Sequence, residues 1–254
     1  MVQCTDNQAL MKLLLKAGQL LLESGAETYR AEDAALYMFR GIGQGEISIF
    51  AVPTVLIVEI ITEDGTAVSG CKRIRRRAID LDKISQINNI VRKVSQREID
   101  AAEALEALEI LDRQPGGKFV PVLLSTAAAA GAFSLLFGGK LPELFLAFFS
   151  CLLAQLIGLF FRSVSMHQFF NSLIAGLVPT LIMAAVGRIF PQINEQAVIV
   201  GSMLPLFPGV TMVNAIRDAI NGDLVSGVSR AAEAILIAAG LGIGASLIFL
   251  PGVM

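Results

Sequence analysis

The sequence predicts a membrane protein in two parts, an α+β cytoplasmic N-terminal domain followed by an α-helical domain of five transmembrane helices. Three observations lead there. Hydrophobic residues make up 54% of the chain and charged residues only 17%, with a mean hydropathy of +0.67, which is too apolar for an ordinary soluble domain. The charges crowd the front: only 5 of the 20 Lys/Arg and 5 of the 22 Asp/Glu lie after residue 118. The apolar period also changes along the chain, from helical to alternating, back to helical, and then to long continuous runs. These shifts divide the chain into a cytoplasmic domain over 1–113, a linker over 114–118 and a transmembrane domain over 119–254.

In the front part, Asp6 is a candidate N-cap for a helix from about 7 to 24, with Leu10, Leu13, Leu14, Ala17, Leu20 and Leu21 at helical spacing. Ser24-Gly25 closes it. A second helix runs from about Glu27 to Arg40. The period then changes to two β-rich runs, Ile47 to Val52 and Thr54 to Thr62. Glu63-Asp64-Gly65-Thr66 supplies a hairpin turn, and Ala67 to Lys72 returns antiparallel. A single long helix is expected from Asp80 to Arg113. The apolar run Leu10–Leu22 contains Lys12, Lys16 and Gln19 and has no basic segment before it, so it is not a signal peptide.

In the rear part, Pro115-Gly116-Gly117 ends the preceding helix. Five apolar segments come after it, at about 119–138, 142–161, 168–187, 195–216 and 231–250. Each approaches the roughly 20 residues that cross about 30 Å of hydrocarbon. Gly240 and Gly244 form one G-x-x-x-G match, a spacing that lets helices approach closely. Arg162, Arg217 and Arg230 fall on one side of the membrane, Lys140 and Arg188 on the other. With the far larger Lys/Arg content of the front part, 15 of the 20, this places the N-terminus in the cytoplasm and the C-terminus outside, in the plasma membrane.

Several function classes lack support. A net charge of −2 gives no reason to expect nucleic acid. Cys4, Cys71 and Cys151 are far apart and His167 is the single histidine, so neither a metal centre nor a disulfide framework is expected. No nucleophile–base pair, P-loop or G-x-G-x-x-G is present, so neither an enzyme nor a cofactor is predicted.

The candidate site is the stretch from Leu204 to Asp218. Pro205 and Pro208 each remove a backbone donor, and Gly209 adds freedom at the same point. A helix broken within the membrane must have its freed groups satisfied by protein, water or ligand, and such breaks form substrate sites in transporters. Thr211, Asn214 and Asp218 share one face after the break. The expected roles are substrate contact for Pro205, Pro208, Gly209, Thr211 and Asn214, and charge or proton coupling for Asp218 and Glu233. A proline kink with a polar cytoplasmic end, where Asp218 only pairs with Arg217 or Arg230, is the alternative. In the front domain, Glu27, Arg30 and Glu32 could form an ion-pair cluster, with plain helix capping the alternative. Arg75 and Arg76, in the run Lys72 to Arg77, could bind an acidic ligand or simply face headgroups.

Taken together, these motifs resemble the threonine/serine exporter family. They are Gly25-Ala26-Glu27-Thr28; Arg75-Arg76 with Asp80-Leu81; Leu204-Pro205-Leu206-Phe207-Pro208-Gly209 followed by Asn214-Ala215-Ile216-Arg217-Asp218; and Gly222-Asp223 with Gly227 and Arg230. The resemblance covers nearly the whole chain. It implies the larger subunit of a split, two-component secondary transporter with a small membrane partner subunit of the same family. The expected substrate is a small carboxylate, threonine or serine in the first instance. Alternatives are export of a dicarboxylate such as succinate, or a membrane-anchored hydrolase or regulatory subunit.

Overall fold

The computed structural model describes residues 7–75, 77–114, 119–163 and 168–247. Asp6 and Arg76 lie outside them. The chain divides into two compact units, 1–116 with 213–230 and 117–212 with 231–254.

The first unit contains α1 (Asn7–Glu23), α2 (Thr28–Ile42), β1 (Glu46–Val52), β2 (Val55–Ile61), β3 (Ala67–Arg73), α3 (Leu81–Ser95) and α4 (Ala101–Arg113). The strands form one antiparallel sheet in the order β1-β2-β3. A tight turn pairs Val52 with Val55, and the predicted hairpin turn, with Gly65 at φ 82, joins Ile61 to Ala67. The centre of the unit is α1. Its Leu13, Leu14, Leu20 and Leu21 are fully covered, and it packs on α2, α3, α4 and the inner face of β2 and β3. Such a helix needs apolar residues on more than one stripe, and the leucine-rich sequence of α1 supplies them.

The helix expected over Asp80–Arg113 is instead two. It stops after Ser95, turns through Arg97 at φ 61, and restarts at Ala101. Asp100 caps the new helix: its side chain accepts from Ala102 and Glu103, while Glu103 reaches back to the Asp100 N–H. Arg97 Nε donates to the Gly41 carbonyl at 2.7 Å, which ties this corner to the end of α2. The apolar stripe continues in phase across the turn, and the capping box overrides it.

The α1–α2 corner leaves several backbone groups without partners in its own helices. Gly25, at φ 81, ends α1 with two reverse bonds, Gly25 N–H to Leu22 O and Ala26 N–H to Leu21 O. This is the Schellman arrangement, which glycine adopts without steric cost. The Gly25 and Ala26 carbonyls and the first N–H of α2 are left for other partners.

The described part of the second unit holds α5 (Phe119–Leu136), α6 (Leu141–Ser163), α7 (Gln168–Ile189) and α8 (Glu195–Met203), with a 3₁₀ turn at Leu204–Leu206. Two further helices, α9 (Gly209–Ile220) and α10 (Leu224–Ser246), have one end in each unit. Among the described residues, four helices, α5, α6, α7 and α10, are long and apolar enough to cross a membrane; a fifth crossing exists if Glu195–Leu206 and Gly209–Ile220, bent by 51° at their break, count as one. Only 22–39% of each span is buried within the protein, leaving most of its apolar surface outward, as a hydrocarbon solvent permits.

The last helix begins at Leu224, directly after Asp223, and the apolar segment from 231 is its later part. It starts immediately after a turn of the same kind as at Gly25: Gly222 at φ 96, with Gly222 N–H to Ala219 O and Asp223 N–H to Asp218 O. Small residues carry the close approaches. A Cβ on Gly176 would overlap the Leu241 carbonyl, and one on Gly244 the Leu173 carbonyl; one on Gly240 would meet Phe169 O at 2.8 Å. The predicted Gly240/Gly244 pair therefore faces α7.

Candidate functional site

The polar residues of α9 and the start of α10 meet the α1–α2 corner inside the first unit. Asp218 is fully buried. Its Oδ1 accepts from the Thr28 N–H at 3.0 Å and its Oδ2 from the Thr28 hydroxyl at 3.1 Å. Arg230 Nε lies 2.9 Å from the same Oδ2, in an ion pair whose side chains are 4% and 0% exposed. Arg230 also donates through Nη2 to the Ala26 carbonyl at 2.6 Å. Asn214 Nδ2 donates to the Gly25 carbonyl at 3.0 Å. Each backbone group freed by the Gly25 turn thus finds a partner on the α9–α10 hairpin. The Asp218 carboxylate sits at the positive end of α2, where an anion is stabilised.

A second layer lies beside this core. Glu27 precedes α2 without capping it. Its Oε1 accepts from Arg217 Nη1 at 2.6 Å and its Oε2 lies 3.0 Å from Arg30 Nε. Burial opposes Glu27 ionisation, but its own backbone N–H and Arg217, with the charges of both arginines, outweigh burial and hold the carboxyl below its usual value. The Tyr29 side chain beside Arg30, against partial burial and together with the Glu27 charge, raises the guanidinium above its ordinary value. Glu32 accepts from the Ala51 N–H at 2.7 Å, linking α2 to β1. Burial pushes the Glu32 carboxyl up; the Ala51 N–H pulls the other way, and the charges of Asp223, Asp33 and Asp218 add to the rise. Burial and Asp218 likewise raise Asp223.

The Glu32 shift sets a sign. A carboxyl whose folded pKa exceeds its unfolded value binds protons more tightly when folded, so its contribution to stability is greatest at low pH. That contribution is lost as pH rises from the unfolded value, 4.5, through the folded one. Glu32→Gln keeps an acceptor for Ala51 and removes the charge. It is expected to raise the neutral-pH melting temperature and to flatten the fall in stability above pH 4.5. A variant that melts lower than the parent at neutral pH overturns this.

Among the sequence-derived candidates, Glu27, Arg30, Asn214 and Asp218 come together here, and Glu32 lies one turn along α2. Arg75 is exposed just after β3 and Glu233 is half-buried in α10, within the second unit. Pro205, Pro208 and Thr211 are half-buried at the α8–α9 break, and Gly209 is exposed with nothing within 4 Å of where a Cβ would stand. Asp218, expected from the sequence to serve in charge or proton coupling, is sealed from water. Thr28, Arg217 and Arg230 are not among the sequence-derived candidates. Thr28 opens α2 directly after a glycine turn, and Arg230 is a cation within an apolar helix, so both carry a usable signal.

Residues 12–250 match the family described as "Putative threonine/serine exporter". A protein of Mycobacterium tuberculosis named "Probable threonine/serine exporter" is 24% identical over 96% of this chain and 46% of its own length. A protein of Klebsiella aerogenes named "Probable succinate transporter subunit YjjP" is 24% identical over 92% of this chain and 90% of its own. A Corynebacterium glutamicum protein named "Threonine/serine exporter" is 23% identical over 97% of this chain and 53% of its own. The chain thus spans about half the length of the two relatives named threonine/serine exporters. No solved structure matches the chain.

Proposed function

The chain belongs to the threonine/serine exporter family, and from that premise we propose that it is the larger subunit of a two-component secondary transporter in the plasma membrane. It exports a small carboxylate metabolite, most directly threonine or serine, together with a small membrane partner subunit of the same family. The observation that carries this reading is the 51° bend between Glu195–Leu206 and Gly209–Ile220, placed in an apolar span and followed by a polar residue. The Gly209 N–H donates to the Phe207 carbonyl at 2.8 Å; the Val210 and Thr211 N–H groups have no acceptor within α9, and this positive helix end suits a carboxylate. Thr211 adds a neutral hydrogen bond. Asn214, Asp218 and Arg230 hold the far end of α9 and the start of α10 to the α1–α2 corner.

Five spans, with the N-terminus in the cytoplasm and the C-terminus outside, fit this arrangement. Residues 213–230 belong to the same unit as the N-terminal domain, so the α9–α10 turn lies on its side of the membrane. The bent pair then counts as one crossing, and α10 leads outward. A dicarboxylate substrate is the second reading. It rests on the relative named a succinate transporter subunit, 90% of whose length is matched.

The test is export from cells loaded with threonine, serine or succinate, carrying this chain, its partner, or both. Export of an amino acid only when both are present supports the reading. Succinate export alone selects the second reading. Full export by this chain in membranes free of any partner homologue removes the two-component claim. Thr211→Val is expected to leave abundance unchanged and to weaken apparent substrate affinity about 2- to 10-fold, the value of one neutral hydrogen bond. Unaltered affinity would place the substrate away from the break.

A further inference from the structure

A groove of about 490 Å³ lies between α2 and α3, wholly within the first unit. That volume is in the range of small-molecule sites, roughly 300–1,000 Å³. Its lining carries both signs of charge. Tyr29, Arg30, Asp33 and Tyr37 line it from α2, and Asn88 and Arg92 from α3. Among the described residues, neither Asp33 nor Arg92 has an ion-pair partner. Asp33 on α2 and Arg92 on α3, left unjoined, present one anion and one cation to the same groove. Arg30 does not fill this role, because its Nε is held by Glu27.

We propose that this groove is a binding site for a free α-amino acid, with the ligand carboxylate on Arg92, its ammonium on Asp33 and its side chain against the tyrosine rings. A planar guanidinium takes a carboxylate through two parallel bonds, and Asp33 can accept from an ammonium. The same Asp33 disfavours a dicarboxylate, whose second charge it would repel. The groove is thus a second amino-acid site, apart from the α8–α9 break. Its role in sensing cargo rests on the amino-acid export reading above. Its Arg30 wall is joined through Glu27 to Arg217, so an occupant lies next to the contacts that hold α9 to the corner.

The chain has two tyrosines and no tryptophan, and both tyrosines line this groove. Intrinsic tyrosine emission of the intact chain in detergent therefore reports on the groove directly. Titration with L-threonine or L-serine is expected to give a saturable change, and succinate or inorganic phosphate none. Arg92→Ala should weaken the amino-acid response about 10- to 100-fold. Asp33→Asn should weaken it too, while admitting succinate. Far-UV circular dichroism and the melting temperature verify that each variant is folded. A flat response to amino acids from folded protein, equal saturation by succinate, or an Arg92→Ala affinity equal to the parent's each overturns the proposal. Export is measured separately: a saturating tyrosine signal in a chain that exports no amino acid leaves the groove standing and removes the export reading. Amino-acid export with a flat signal removes only the groove.

Discussion

Asp218→Asn is expected to destabilise the first unit by about 3–5 kcal/mol, the usual cost of removing one partner from a buried ion pair. The amide keeps the shape of the carboxylate and can still accept from Thr28. It cannot supply the charge that Arg230 Nε meets at 2.9 Å, so the buried guanidinium loses this ion pair. A coupling role for Asp218 leads to the opposite expectation: normal abundance with lost export. Thermal and denaturant unfolding of the intact protein in detergent, with abundance in membranes, decides between them. Joint replacement, Asp218→Leu with Arg230→Met, should recover much of the loss, because neither charge is then left unpaired. A normal melting curve for Asp218→Asn would show that the pair does not hold the corner.

Gly176→Ala and Gly244→Ala should each disrupt the α7–α10 contact, at a cost of about 1–3 kcal/mol or more. The obstruction in both cases is a backbone carbonyl, which cannot rotate aside as a side chain can. The two sites lie on one interface, so the double variant is expected to depart from additivity. Gly242 provides the control, since nothing lies within 4 Å of its absent Cβ. Alanine there should be neutral, or slightly stabilising through its better helix propensity. Heat-induced aggregation of the detergent-solubilised protein would rank the three. If Gly176→Ala and Gly244→Ala behave like Gly242→Ala, the helices pack less closely than described.

The fold was legible where local chemistry and periodicity agreed. The strands follow from the β-rich runs Ile47–Val52 and Thr54–Thr62 and from the glycine at position 65. The apolar spans follow from length and hydropathy. The single helix expected over 80–113 went wrong because the stripe Ile84, Ile87, Val91, Val94 resumes in phase beyond the turn, so periodicity alone could not see the Asp100 capping box. The polar face of α9 was visible, and so was a pairing of Asp218 with Arg230, but its partners in the α1–α2 corner were not. Asn214 and Asp218 bond to residues about 190 positions away, and no spacing rule reaches that far. A buried carboxylate and one at a wet interface read alike in a sequence; only the chain that covers them distinguishes the two.

The discontinuity of the first unit bears on how the protein is made. Its front segment ends at Gly116 and its closing segment begins at Val213. During synthesis at roughly 5–20 residues per second, the ribosome needs about 5–20 s to bridge that interval. Throughout that delay the Gly25 and Ala26 carbonyls and the Thr28 amide have water in place of Asn214, Arg230 and Asp218. The nascent front segment can collect its α1 core early, but its corner must wait until most of the membrane helices have been threaded. A truncated chain ending near residue 116 would stay permanently in that waiting state, with the corner unsealed.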